Sequence, residues 1–449
     1  MEEAGRIAEE LSNIVPGRVV SDVRGYLKDW WPIFSIQEEG GSALVGVKPL
    51  NVDEVSKVVR FATSNKLPLV CRGGGSSVTG SSIPMGGIVM DLSGMKEVLD
   101  IDETARTVTA QAGIKLTELE AKVNTKGFTM GQVPQSFDLA TIGGYISTMG
   151  TGQYSTFYGG VEDSVLRLQV ILPDGEVIWT RRNDAPRSSV GPELARLFIG
   201  AEGVFGIVSA AQLKLYKRPT HIWKGVYVFE DFVSAANLAR RLLDLDVQPA
   251  VCRVYNEVES SYQFGDAKPL VLLIYHFASA SVMKSVVDEV QELMHSEGMP
   301  SDPALVDKWI EQRFAYREQL DAMKSMGYMV ETAELAAKWP RVFDMYGDVM
   351  TELQAMEGVQ AVGAHLSHLY HQGACAYFTI ILKPEMSLYY GVWNVLGKIM
   401  QRHGATISHH HGVGILKAGI AGKETSLELL RKIKAALDPE GSMNPKKFI

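Results

Sequence analysis

The stretch that most limits what this chain can become runs from Pro68 to Leu92, PLVCRGGGSSVTGSSIPMGGIVMDL. Three consecutive glycines, Gly73, Gly74 and Gly75, follow a short apolar run and precede Ser76, Ser77, Thr79 and Gly80, and a second apolar run then ends in Asp91. Glycine accepts dihedral angles closed to other residues and lets backbone N–H groups approach a ligand closely. A turn of such N–H groups, supplemented by the three hydroxyls, suits phosphate or pyrophosphate oxygens. The pattern is neither the GxGxxG fingerprint that opens a helix nor a loop ending in GK[ST]. A plain hairpin between two strands is the alternative.

A second glycine-rich block spans residues 132–160, with Gly143, Gly144, Gly150, Gly152, Gly159 and Gly160, and a third, LFIGAEGVFGIV, surrounds Glu202. Three such segments in one domain favour an extended ligand laid across strand ends over scaffold turns alone. The chain of 449 residues is long enough for two or three domains with full cores. Its formal net charge of -8 argues against a general basic field for nucleic acid. No apolar stretch approaches the twenty residues of a membrane span. Cys71, Cys252 and Cys375 are few and scattered, which suits a reducing cytoplasm better than a disulfide framework.

Apolar periodicity predicts a helix over 5–14, a strand over 42–48, a helix over 52–64, paired strands over 97–111 and a helix over 112–126. After Pro219 comes a β-α-β-α rhythm: strand 223–229, a helix through Ala235 and Leu242, strand 270–277 and helix 282–295. Residues 301–360 read mostly as helix, broken near Gly327 and Pro340. A strand over 374–382, a helix over 390–402 and a last helix over 424–437 follow. The domains expected are an N-terminal helix and leading arm (1–40), a nucleotide-binding domain (41–218), a cap (219–408), and a histidine loop with a C-terminal helix returning to the first domain (409–449).

Together, PLVCRGGGSSVTG, FDLATIGGYISTMGTGQYSTFYGG and FIGAEGVFGIV resemble the FAD-binding domain of the vanillyl-alcohol-oxidase or PCMH type. The resemblance implies an α+β fold, in which a two-subdomain FAD-binding domain precedes an α/β cap. It implies FAD held by Arg72, Gly73, Gly74, Gly75, Ser76, Ser77, Thr79 and Gly80 around the pyrophosphate. Pro134, Ser136, Asp138, Thr141, Ile142, Gly143, Gly144, Ser147 and Gly150 would lie along the nucleotide and flavin, with Glu202, Gly206, Ile207 and Val208 near the adenine side.

Within that superfamily, CRVYNEVESSYQFGDAKP, VETAELAAKWPRVFD, HLSHLYHQGACAYFT and SHHHGVG are similar to alkyldihydroxyacetonephosphate synthases. Glycolate and D-lactate dehydrogenases carry a GHxGDGNxH metal motif that this chain lacks, and His410 stands where their later motif has an acidic residue. The synthase resemblance implies exchange of the acyl group of acyl-dihydroxyacetone phosphate for a fatty alcohol through a flavin N5 adduct, in ether-lipid synthesis. Tyr377 and His410, with His409 and His411, would move protons. Arg253, Arg313, Arg317 and His368 would bind substrate, and no metal is required. The alternative is oxidation of a 2-hydroxy acid such as D-lactate or glycolate by hydride transfer to flavin. Expected partners are a phosphorylated lipid and a fatty alcohol, or a small hydroxy acid, and no nucleic acid. A homodimer and a cytoplasmic location with peripheral membrane contact complete the expectation. By spacing alone, His365, His368 and His371 would share one helical face, a possible imidazole set for a metal. The departure at Asn256, where the synthase motif commonly has an acid, leaves open what orients Arg253.

Overall fold

The computed structural model describes residues 2–38, 40–421 and 426–449. The chain divides into two compact units, one of residues 1–151, 160–217 and 410–449, the other of residues 152–159 and 218–409. The short segment 152–159, which the sequence reading counts with the first domain, is thus grouped with the second.

In the first unit, strands Leu69–Arg72, Ile88–Asp91 and Val45–Val47 run parallel, and Val19–Val20 closes one edge in the antiparallel sense. Helix Val52–Ser64 has the predicted bounds, because Asn51 caps it by accepting from Glu54 N while Val55, Val58, Val59 and Ala62 bury one stripe. A second sheet of five antiparallel strands has the order 98–102, 107–111, 207–214, 165–171, 177–179. The helix expected over 112–126 is shorter, Leu116–Asn124. Residues 112–114 are instead tied to neighbouring segments, Ala112 N donating to Ser209 O and Ala112 O accepting from Gly143 N. One apolar core joins both sheets of this unit and takes in Met443 and Phe448 from the C-terminal tail.

The second unit is a single seven-stranded sheet in the order 299–300, 221–228, 270–277, 251–255, 359–370, 373–382, 329–338. Every pairing in it is antiparallel, so the β-α-β-α rhythm builds no parallel crossover. Strand Leu270–Phe277 is central and nearly fully buried, which accounts for its unbroken apolar run.

One expectation fails here. Residues Met329–Lys338, read as helix, form a ten-residue strand paired along its whole length with Gly373–Leu382. The segment MVETAELAAK is rich in helix formers, and cross-strand pairing overrides that preference. Val359–Tyr370 is likewise a strand, so the helical face proposed for His365, His368 and His371 does not exist. The final helix spans Ser426–Leu437, and the expected residues 424 and 425 lie outside the described residues. Among the described residues no helix is long and apolar enough to cross a membrane.

Candidate active site

In the first unit the glycine loop leaves the parallel strand Leu69–Arg72 and lies directly on residues 139–141. A Cβ on Gly74 would stand 1.8 Å from the Leu139 carbonyl oxygen, and one on Gly73 would stand 2.0 Å from Thr141 Oγ1. Gly75 and Gly80 have φ of +67° and +79°. Only glycine satisfies both demands. Thr141 Oγ1 accepts from Gly144 N, and Gly143 packs where a Cβ would meet Ala112 Cβ at 2.6 Å. Pro134 and Ser136 supply carbonyls that close the turn over Phe137, Leu139 and Ala140, with Asp138 inside that turn. Gly150 N donates to Tyr145 O, and Ser147 O accepts from Glu202 N. Ser77 Oγ accepts from Thr79 N and Ser81 N, shaping the loop that Ser76 enters. Beside it, Ser82 Oγ and Asn444 Oδ1 are buried with no partner among the described residues. Closely packed glycines in a loop and unpartnered polar atoms beside it fit a pyrophosphate-bearing cofactor.

Two expected cofactor residues hydrogen-bond backbone groups through their side chains. Arg72 donates to the carbonyls of Tyr26 and Lys28, pinning the leading arm. Glu202, at φ +50°, turns its carboxylate onto the backbone N–H groups of Val413 and Gly414 at 2.5 and 3.0 Å. Burial pushes the Glu202 carboxyl up to about 7, against these N–H groups and the charges of Lys447 and Lys417. A Cβ on Gly412 would lie 2.5 Å from the same carboxylate. The loop carrying His410 and His411 is thereby clamped, with Thr79 Oγ1 donating to His411 O and the two imidazole rings edge to face at 4.6 Å. Gly206, Ile207 and Val208 lead into the strand Ile207–Lys214.

In the second unit a connected set of polar side chains grows from the central strands. Arg253, on Val251–Tyr255, is 8% exposed. Its Nε donates to Tyr255 Oη at 2.7 Å and its Nη2 to His365 Nε2 at 2.5 Å. His365 Nδ1 meets Glu259 Oε1 at 2.8 Å. Because Nε2 accepts from the arginine, Nδ1 carries the ring proton and donates it to Glu259. Burial, followed by the Arg253 charge, lowers the His365 pKa, and Glu259 opposes both. Asn256 caps the helix Glu257–Phe264 through Glu259 N and also accepts from Ala364 N. The acid missing at position 256 is therefore supplied one helical turn on, by Glu259. The Asn-x-x-Glu spacing of a capped helix start is the signal that marks it.

Arg253 also lies over Tyr255 at 5.3 Å and Trp309 at 5.6 Å, and Arg313 lies 5.7 Å from Trp309 and donates to Tyr154 Oη at 3.1 Å. Arg317 is half-buried one turn farther along. Tyr377 is paired across the sheet with His365 and stacked on it at 4.7 Å and 9°. Burial first, then Cys375 and Glu334, push the phenol well above its ordinary pKa, so Tyr377 is a neutral O–H donor. That hydroxyl meets His368 Nε2 at 2.9 Å. His368, expected to bind substrate, is therefore a partner of Tyr377, while His371 is exposed in the following turn. His409 stacks on His368 at 5.1 Å, meets Tyr370 Oη at 2.7 Å through Nε2, and donates its backbone N–H to Glu334. The unit boundary falls between His409 and His410.

Comparison with known proteins fits both halves of this description. Residues 43–181 match the family model described as FAD binding domain, and residues 218–448 match FAD linked oxidases, C-terminal domain. The uncharacterized FAD-linked oxidoreductase YgcU of Escherichia coli (strain K12) is 29% identical over 431 residues, 89% of this chain and 87% of that protein. Alkyldihydroxyacetonephosphate synthase of Dictyostelium discoideum is 26% identical over 449 residues, covering 90% of this chain and 72% of that one. A solved alkyldihydroxyacetonephosphate synthase superposes with a TM-score of 0.81 over 99% of this chain and 85% of its own, a likeness of fold at 20% identity. With a glycine cradle suited to FAD and a family model spanning the entire second half, this chain belongs to the FAD-linked oxidases.

Proposed function

We propose that this flavoenzyme acts on an anionic substrate as an alkyldihydroxyacetonephosphate-synthase-like enzyme, exchanging the acyl group of acyl-dihydroxyacetone phosphate for a fatty alcohol. One observation carries the reading. Arg253 is a buried guanidinium whose hydrogen-bond partners are a phenol and an imidazole, with no carboxylate at ion-pair distance among the described residues. Buried charge is ordinarily paired, so the missing counter-ion is supplied by what binds. Nε and one N–H of Nη2 are occupied, which leaves Nη1 and the second N–H of Nη2 to donate to phosphate oxygens. The 26% identity to the Dictyostelium discoideum synthase supports the ether-bond chemistry.

Gly73 to Gly75 and the loop around Thr141 would hold FAD, which when bound would supply an electrophilic ring. Arg253 holds the anion, kept rigid by His365 and Glu259. Tyr377, stacked on the same His365, gives or takes a proton close to that anion site.

Oxidation of a 2-hydroxy acid is the second reading, favoured by the same Arg253, since a guanidinium grips a carboxylate as well as a phosphate. Anaerobic incubation with palmitoyl-dihydroxyacetone phosphate and hexadecanol, products followed by mass, separates the two. Alkyl product and free palmitate without lasting flavin bleaching are expected. No exchange, with bleaching by D-lactate or glycolate, would transfer the assignment to hydroxy-acid oxidation.

A further inference from the structure

His368 occupies an unusual position on its strand. The pairing of Val359–Tyr370 with Gly373–Leu382 shifts register between Ser367 and Leu369, which makes His368 the extra residue of a β-bulge. Its φ is +51°, in the left-handed region that a non-glycine residue enters only when the surroundings require it. Strict alternation would put His365 and His368 on opposite faces of the sheet. The bulge re-aims His368, so that His365 stacks on the Tyr377 ring while His368 meets the Tyr377 hydroxyl.

The segment 152–159 is fastened against this bulge. Thr156 Oγ1 accepts from Leu369 N at 3.3 Å, just past the extra residue. Ser155, 5% exposed, places Oγ 2.5 Å from His368 Nδ1. Tyr158 Oη meets His276 Nδ1 at 3.0 Å, a ring that burial keeps neutral with its pKa lowered to about 4. Three side chains of one short turn thus anchor it, and the first of them, Ser155, ends on His368.

We infer that Ser155, His368 and Tyr377 form a proton relay, in which His368 receives the Tyr377 proton and Ser155 is the positioning residue that fixes the imidazole tautomer. A phenol is a stronger acid than an aliphatic alcohol, so Tyr377 O–H donates to Nε2 and Nδ1–H donates to Ser155 Oγ. When Tyr377 Oη takes a proton from a substrate hydroxyl or carbon acid, its own proton passes to Nε2. The resulting imidazolium keeps its Nδ1–H on Ser155. Protonation of the leaving oxygen returns the proton by the same path, with no net gain or loss and no electron moved. The relay rests on the reading that Tyr377 faces substrate, but its tautomer does not.

Two measurements on the flavin-loaded enzyme test it. The first uses no substrate: ¹⁵N-histidine spectra, with the His368 signals identified by their loss in His368→Gln. His409 stacks on the same ring, so this subtraction is needed. A neutral Nδ1–H tautomer is expected in the wild type, with the Nε2–H form gaining in Ser155→Ala. A wild-type Nε2–H tautomer, or a signal indifferent to Ser155→Ala, overturns the relay whatever the substrate proves to be. The second is the pH profile of turnover on whichever substrate is active. His368→Gln should lower kcat about 100-fold and abolish the acidic limb. Ser155→Ala should lower kcat about tenfold at unchanged KM and displace that limb, with Ser155→Thr restoring both. Should Ser155→Ala lose flavin or fold, Ser155→Thr and Ser155→Gly against His368→Gln still read the limb. Identical profiles in all variants would refute the proposal.

Discussion

At the scale of single residues, the second unit sets the Arg253 guanidinium against a phenol and an imidazole. Among the described residues no carboxylate pairs with Arg253 directly, and Glu259 reaches it through His365. Arg253→Lys keeps the charge but loses the planar fork, and should raise KM about 100-fold while flavin content is unchanged. Steady-state kinetics beside the flavin spectrum check this, and unchanged KM would remove Arg253 from substrate binding. Tyr377→Phe keeps the ring stacked on His365 and removes only the hydroxyl, so FAD binding should persist while turnover falls at least about 100-fold. Near-normal turnover would take Tyr377 out of the chemistry. These residue types were legible in the sequence as candidates. Their partners were not, because Ser155 and Trp309 are unremarkable letters until the fold brings them to the histidine and the arginine.

At the scale of elements, loops and strand irregularities decide more than regular structure does. Helix Val52–Ser64 and strand Leu270–Phe277 follow from pattern and capping alone. The glycine loop does too: Gly74→Ala would drive a methyl into the Leu139 carbonyl, so the variant should purify without its yellow cofactor. An absorbance spectrum decides, and a fully flavinated variant would contradict the cradle. The clamp of Glu202 on residues 413 and 414 sets a pH dependence. Its folded pKa, about 7, lies above the ordinary carboxyl value, so between the two the folded protein holds a proton that the unfolded chain has released. This group's contribution to stability is complete below the ordinary value and is lost as pH rises through about 7. Glu202→Gln still accepts from Val413 N and Gly414 N but cannot ionise. Its urea midpoint should therefore fall less than that of the wild type between about pH 5 and about pH 8. Parallel pH dependences would show that Glu202 does not titrate in the fold. Asp29, pushed up to about 6 by burial, adds a slope of the same sign that both proteins share.

At the scale of the whole molecule, the first unit is closed by the last forty residues. Leu69 N donates to Ser442 O and Asn444 N to Leu69 O, while Asn444 Nδ2 reaches Ser81 O and Glu202 O, and Lys447 Nζ reaches Ile83 O. A chain ending at His409 should therefore fail to retain FAD, and a truncated protein that purified yellow would show these bonds to be dispensable. The sequence by itself determined the glycine cradle, the order of most elements and the residue types available for proton transfer and anion binding. Those follow from local backbone freedom, period and side-chain chemistry. Only the tertiary structure decided that Met329–Lys338 is a strand, that a bulge turns His368 onto Tyr377, and that Ser155 joins the second unit. Each depends on contacts between residues far apart in the chain, where pairing and burial outweigh the preferences of any local stretch.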